Sequence, residues 1–304
     1  MQGERKKFTN FPHVLYWLQR GSEILKADCH IHMVLDGENW KAALERHSAA
    51  VDKTWVRRQL EIYREKGYTY LRDGGDRWGV GAYARELARE YGITYKTPLA
   101  PLCKAGCYGS FIGMQWESLR AYARQVVQHR ERGADFIKIM ISGLMDFDRY
   151  EVLTQPGLPA EEIRELIHIA HEEGMAVMAH ANGARTVEAA AVAGIDSVEH
   201  GAYLDQDALH AMKEAGAVWV PTVSTVGNLR GKGRFSEEAV QKILESALAN
   251  IAYFQSIGGL VATGTDAGAW AVPHGCETEE AYLMAAGVDT LAQETGIRKI
   301  MEKF

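Results

Sequence analysis

The chain has 304 residues, 47% of them hydrophobic, and carries 34 Lys and Arg against 40 Asp and Glu, a formal net charge of −6. That length suits one α/β barrel as well as about two smaller domains, and the acidic balance argues against a nucleic-acid or membrane-surface binder, which needs a basic face. The four cysteines (Cys29, Cys103, Cys107, Cys276) are too scattered for a disulfide framework, and no apolar run reaches signal-peptide or membrane-span length, so reduced thiols and a cytoplasmic setting are expected.

Residues 1–25 open with charge and read as an N-terminal extension; residues 26–304 read as one domain. From residue 24 onward one unit recurs, an amphipathic segment ending at a glycine and followed by a short apolar run. The apolar runs are ILKADCHIHM (24–33), YTYLRDGG (68–75), ITYKTPLAP (93–101), ADFIKIMISG (134–143), MAVMAHANG (175–183), IDSVEHG (195–201), AVWVPTV (217–223) and LVATGTDAG (260–268). They alternate little between apolar and polar, as strands buried on both faces of a parallel sheet do. Gly67, Gly92, Gly133, Gly174, Gly194, Gly216 and Gly258 precede seven of the runs, where a helix ends and a left-handed residue is cheap. Leu158-Pro159-Ala160-Glu161-Glu162 and Ser236-Glu237-Glu238 read as helix starts. Eight β–α units predict a (β/α)₈ TIM barrel, with an open doubly wound sheet as the rival arrangement.

In such a barrel chemistry sits at the C-terminal ends of the strands. The polar residues that interrupt the runs near those ends are His30, His32, Lys138, His180, His200 and Asp266. His30 and His32 share a face of the first strand, because side chains two apart on a strand point the same way. Lys138 lies within Phe136-Ile137-Lys138-Ile139-Met140, where a buried ammonium is costly. Singly, each has an ordinary reading: a hydrogen-bonded core histidine, a snorkelling lysine, an aspartate bracing a turn. Together they fall on strands 1, 4, 5, 6 and 8, all toward one mouth, and a metal site is expected.

Imidazole and carboxylate suit zinc and similar divalent ions. Six groups are more than one catalytic metal needs, so two are expected: His30, His32 and Asp266 on the first, His180 and His200 on the second. Lys138 bridges only as a carbamate formed with carbon dioxide, since an ammonium cannot ligate a cation. Two metals roughly 3.5–4 Å apart hold a hydroxide between them at neutral pH. Asp266 then serves as general base and acid in cleavage of an amide C–N bond.

The chain resembles the amidohydrolase superfamily, and within it the imidazolonepropionase-like and Xaa-Pro-dipeptidase-like branch. The resemblance rests on Asp28-Cys29-His30-Ile31-His32, on 133–140 around Lys138, on Ala179-His180-Ala181-Asn182-Gly183, on Ser197-Val198-Glu199-His200-Gly201 and on Thr263-Gly264-Thr265-Asp266. Arg72-Asp73-Gly74-Gly75, Val220-Pro221-Thr222 and Pro273-His274-Gly275 also fit that branch. It implies a binuclear centre, usually zinc, bridged by an N6-carboxylated Lys138, and a small-molecule substrate such as a dipeptide, an N-acyl amino acid or a cyclic amide. Relatives usually add a small β-sandwich built from both chain ends; here it is expected to be missing or vestigial, with self-association into a homo-oligomer covering exposed apolar surface. Where dipeptidase-like relatives have Gly-Gly-His after the third strand, this chain has Ala105-Gly106-Cys107-Tyr108-Gly109-Ser110, which weighs against a dipeptide.

Tyr203, His274, Tyr108 and Arg72 are the expected substrate contacts from loops at the mouth. His168 and His171 share a helical face and read as solvated. The alternatives are a mononuclear cyclic-amide hydrolase or deaminase, which has no use for Lys138, and a non-catalytic metal- or ligand-binding barrel. A phosphate-binding barrel would need a glycine-rich loop that the sequence lacks.

Overall fold

The computed structural model describes residues 25–304; the expected extension, apart from Leu25, lies outside the described residues. Among the described residues there are ten strands, which alternate with helices except at the third to fifth strands, which follow one another directly. β1 (Ala27–Ile31), β2 (Tyr70–Asp73) and β3 (Thr94–Lys96) form one parallel sheet in that order. β4 (Leu102–Lys104), β5 (Met114–Trp116), β6 (Ile137–Met140), β7 (Val177–Ala181), β8 (Ser197–His200), β9 (Val218–Val220) and β10 (Leu260–Val261) form a second parallel sheet, ordered β10-β9-β8-β7-β6-β4-β5. The α-helices are α1 (Trp40–Arg46), α2 (Lys53–Glu65), α3 (Val80–Ala88), α4 (Leu119–Glu131), α5 (Ala160–Glu172), α6 (Ala184–Val192), α7 (Gln206–Ala215), α8 (Ser224–Gly227), α9 (Glu237–Ser256), α10 (Thr278–Ala285) and α11 (Thr290–Lys303).

The two sheets meet at both edges. On one side Cys29 N donates to Thr263 O at 2.9 Å, Asp266 N to His30 O at 2.7 Å, and His32 N to Ala267 O at 2.7 Å. On the other, Asp135 N donates to Thr97 O at 3.0 Å. The arrangement is α/β and barrel-like, as the repeat predicts.

The expected third strand, 93–101, is broken. Its first half, β3, pairs with β2, and the chain re-enters the sheet as β4, which pairs with β6. Pro98 and Pro101 have no N–H to give to a ladder, and Leu99 between them takes φ +66°. β5, which adds to the edge beyond β4, has no counterpart among the expected strands.

The helix signals hold. All seven helix-ending glycines have positive φ, between +63° and +85°. Pro159 is the N-cap residue of α5, with Glu161 and Glu162 in its first turn, and Ser236 accepts from Ala239 N to cap α9. On α5 the apolar residues recur as Ile163, Leu166, Ile167 and Ala170, one stripe that is buried against the sheet.

Candidate metal centre

The expected ligands lie on the strands or in the turns that follow them: His30, His180 and His200 toward the C-terminal ends, Lys138 second in its strand, and His32 and Asp266 past theirs. His30 and His32 come from β1 and the residue after it, Lys138 from β6, His180 from β7, His200 from the end of β8, and Asp266 from the turn after β10. The Nε2 atoms of His30 and His32 lie 3.4 Å apart. Asp266 Oδ1 is 3.5 Å from His30 Nε2 and 3.3 Å from His32 Nε2. Three donor atoms thus converge on one point from the buried residues His30, His32 and Asp266. The His200 ring lies 4.6 Å from that of His180 and 5.1 Å from that of His30, so all the histidines form one cluster.

Burial keeps the imidazoles of His30, His180 and His200 neutral, as ligands must be. Burial, reinforced by the Lys138 charge, holds His30 well below the usual histidine range and His180 down to about 3. Burial pushes His200 well below that range too. Lys138 is 1% exposed, and burial pulls its ammonium down to about 8. Its Nζ, Asp266 Oδ1 and His32 Nδ1 are buried without a hydrogen-bond partner among the described residues. Buried polar atoms are nearly always partnered. Lys138 Nζ and Asp266 Oδ1 are two such orphans on side chains that line the same cavity, and the donor chemistry of the set fits divalent metal.

His30, His180 and His200 each have a partner on one ring nitrogen, which leaves the other free for a metal. His30 Nδ1 donates to Glu199 Oε2 at 2.7 Å, which leaves Nε2 for the ligand position. Glu199 Oε1 also accepts from Arg72 Nη2 at 2.8 Å and from Ser197 Oγ at 2.6 Å. His200 Nδ1 lies 2.7 Å from Thr222 Oγ1, and His180 Nε2 is 3.2 Å from Gly143 O. Asp28 accepts from both the N–H and the hydroxyl of Thr265, at 2.9 and 2.6 Å, and so anchors the turn that carries Asp266. The backbone is strained here: His200, Thr222 and Asp266 have φ of +69°, +50° and +59°. Gly74 makes room for the His32 ring, since a Cβ there would stand 2.3 Å from His32 Cε1.

A cavity of about 840 Å³ opens above the cluster. Its wall includes His32, Lys138, His180, His200 and Asp266, together with Trp40, Phe111, Phe147, Phe235 and Trp270. Of the four expected substrate contacts, Tyr108 lines the cavity, its ring 4.7 Å from that of His180. Tyr203 is not part of the wall; its ring packs edge-on against Tyr150.

Arg72 and His274 are corrections. Arg72 is wholly buried on β2, its guanidinium occupied by Cys29 O, Ser197 Oγ and Glu199. His274 is buried between Tyr63, at 3.1 Å from Nδ1, and Leu35 O, at 2.9 Å from Nε2, where it braces the loop after β1. His168 and His171 are both exposed, as expected, with His171 also contacting Asp196 at 2.9 Å. Glu199, Thr222 and Asp28 were given no role in the sequence. The available signal was a carboxylate inside an apolar strand, the same anomaly that singles out Lys138.

The sequence matches the Amidohydrolase family over residues 86–298, more than half of the chain, and the chain belongs to that family. The matched stretch holds Lys138, His180, His200 and Asp266, while His30 and His32 precede it. Among curated proteins the chain is 27% identical to ochratoxinase of Aspergillus niger over 284 residues, covering 79% of this chain and 56% of that protein. It is also 28% identical to an uncharacterized protein of Mycobacterium tuberculosis, covering 87% of this chain and 67% of that one. The chain therefore spans little more than half of the length of ochratoxinase. Among solved structures, a Xaa-Pro dipeptidase with bound methionine superposes with a TM-score of 0.73 at 21% identity, covering 92% of this chain and 76% of that chain. Aspergillus niger ochratoxinase superposes with a TM-score of 0.71 at 23% identity, covering 88% of this chain and 68% of that one. Among the described residues no helix is long and apolar enough to cross a membrane.

Proposed function

We propose that this chain is a metal-dependent hydrolase that cleaves an amide C–N bond of a small molecule. The observation that carries it is the convergence of His30 Nε2, His32 Nε2 and Asp266 Oδ1 within 3.5 Å beside the orphaned Lys138 amine. His30, His32 and Asp266 would hold one divalent ion, His180 and His200 a second, and a carboxylated Lys138 would serve both, with zinc the metal that the donor set suits. A lysine drawn down to about 8 has a neutral amine within reach near neutral pH, the form that captures carbon dioxide. When bound, the ions would supply acidified water and a polarised carbonyl.

The chain's own residues supply the rest. Asp266 takes the proton of the attacking water and returns it to the departing nitrogen. Tyr108 bounds the substrate beside His180, and the aromatic wall excludes water from the scissile bond. Likeness to a Xaa-Pro dipeptidase and to ochratoxinase supports an amide over other bonds, with dipeptides, N-acyl amino acids and cyclic amides as the classes to screen.

The test is metal content and hydrolysis in protein grown with zinc and bicarbonate. Close to two equivalents per chain, with turnover of at least one amide class, is expected. Lys138→Ala should lose both, and short carboxylic acids should restore them in part. Full activity in Lys138→Ala, or a folded chain that takes up no metal, would overturn the reading.

A further inference from the structure

Behind the centre lies a buried ion pair with no place in the chemistry above. Arg72 and Glu199 are both fully buried, and every polar atom of the pair is used. Arg72 ties together β1, through Cys29 O, and β8, through Ser197 and Glu199. The ring of Phe304 covers its guanidinium at 4.5 Å. The free oxygen of Glu199 goes to His30 Nδ1.

The other two backed histidines lack such support. His180 has a peptide carbonyl at 3.2 Å, and its Nε2 is also approached at 3.4 Å by the Asn182 amide. His200 has the hydroxyl of Thr222. A carboxylate behind an imidazole raises its strength as a ligand more than a neutral oxygen does, and it locks the ring's orientation. His30 also shares its metal position with the carboxylate of Asp266, whereas His180 and His200 bring no charge of their own.

We infer that the two halves of the metal centre are unequal, and that Arg72 and Glu199 act as positioning residues that make the His30 half the tight one. The inference rests on the metal-dependent reading above. It predicts ordered filling: the first ion enters between His30, His32 and Asp266, and the second adds more weakly at His180 and His200. Removal by a chelator runs in reverse.

The experiment titrates metal-free protein with Co²⁺, followed by visible absorption and by competition with a chromophoric chelator. Two separated steps are expected. His200→Ala should keep the tight step and lose the weak one, and His30→Ala should lose the tight step. Glu199→Gln should weaken the tight step about 10- to 100-fold, the usual effect of removing such a partner, and leave the weak step in place. Glu199→Asp should recover part of the loss.

Equal affinities for both ions, or a tight step that survives His30→Ala and is lost in His200→Ala, would overturn the inference and leave the hydrolase reading standing. A tight step unchanged in folded Glu199→Gln would remove Arg72 and Glu199 from it. If Glu199→Gln does not fold, the order of filling in the unaltered chain and the two histidine variants still decides. No Co²⁺ uptake at all would overturn both readings together.

Discussion

The frame and the ligand set sit within a few ångströms of each other and are built by opposite rules. In the frame every buried charge is satisfied: Arg72 with three acceptors, Glu199 with three donors, Asp28 with both groups of Thr265. In the ligand set Lys138 Nζ, Asp266 Oδ1 and His32 Nδ1 have no partner among the described residues. Burying an unpartnered polar group costs free energy that folding has to offset elsewhere. On the proposed function, the contrast separates groups that hold geometry from Lys138 Nζ and Asp266 Oδ1, which are kept for a ligand. It implies that frame variants should cost stability, whereas ligand-set variants should cost activity at little or no cost in stability.

Asp266→Asn is the largest expected effect. Removing a general base and acid lowers kcat by about 10²- to 10⁴-fold. Asp266 Oδ1 makes no hydrogen bond, and the turn is held by the Asp266 backbone N–H to His30 O. The urea unfolding midpoint of the metal-free protein should therefore barely move. A large stability loss in this variant would place Asp266 in the frame.

Arg72→Met tests the other side. It leaves Glu199 as an uncompensated buried charge, which costs about 3–5 kcal/mol of unfolding free energy. The double variant Arg72→Met/Glu199→Gln removes both charges and should recover most of that loss. A double-mutant cycle on urea denaturation measures the coupling. Additive losses would mean that the two residues do not act as a pair.

The sequence showed the ligand set more readily than the frame, for a physical reason. A histidine or lysine in a run of branched aliphatic residues is an anomaly on one strand, and His30, Lys138 and His180 could be read that way. The frame joins residues on different strands, and no single stretch displays it. Arg72 was expected as a substrate contact at the mouth, in the stretch Arg72-Asp73-Gly74-Gly75 that resembles the dipeptidase-like branch, yet it is the third residue of β2 and its side chain is buried within the sheet. His274 was misplaced in the same way: it lies in a loop, but its ring is held by Tyr63 and Leu35. The short strands β4 and β5 were missed because neither follows a helix-ending glycine, the mark that picked out other short strands. Closure through single backbone bonds such as Asp135 N to Thr97 O leaves no trace in side-chain pattern.

Glu279 extends the frame to the far side of His200. Its carboxylate accepts from Val223 N at 2.9 Å and Ser224 N at 2.7 Å, just past Thr222. Burial raises it to about 7 from its ordinary 4.5. The folded state then holds a proton that the unfolded chain releases. Stability from this group is complete below about pH 4.5 and is lost as pH rises toward 7. At about 1.4 kcal/mol per pKa unit the swing is at most about 3.5 kcal/mol. Glu279→Gln should flatten that part of the curve of unfolding free energy against pH. An unchanged slope would show that the two backbone donors hold the carboxylate ionised.

Lys138→Met has the smallest expected effect on stability, and its sign is opposite to that of the frame variants. The lysine amine is buried with no acceptor, so the metal-free protein bears its desolvation without return. Methionine has a similar length, no charge and a flexible stem that suits the same space between Ile137 and Ile139. Replacing a buried ionic group by an apolar one of like volume is often neutral or stabilising. The metal-free variant should gain about 1–2 kcal/mol in urea denaturation at pH 7 while losing its metal and its activity. A loss of stability instead would show that Lys138 already has a partner in the metal-free protein and belongs to the frame.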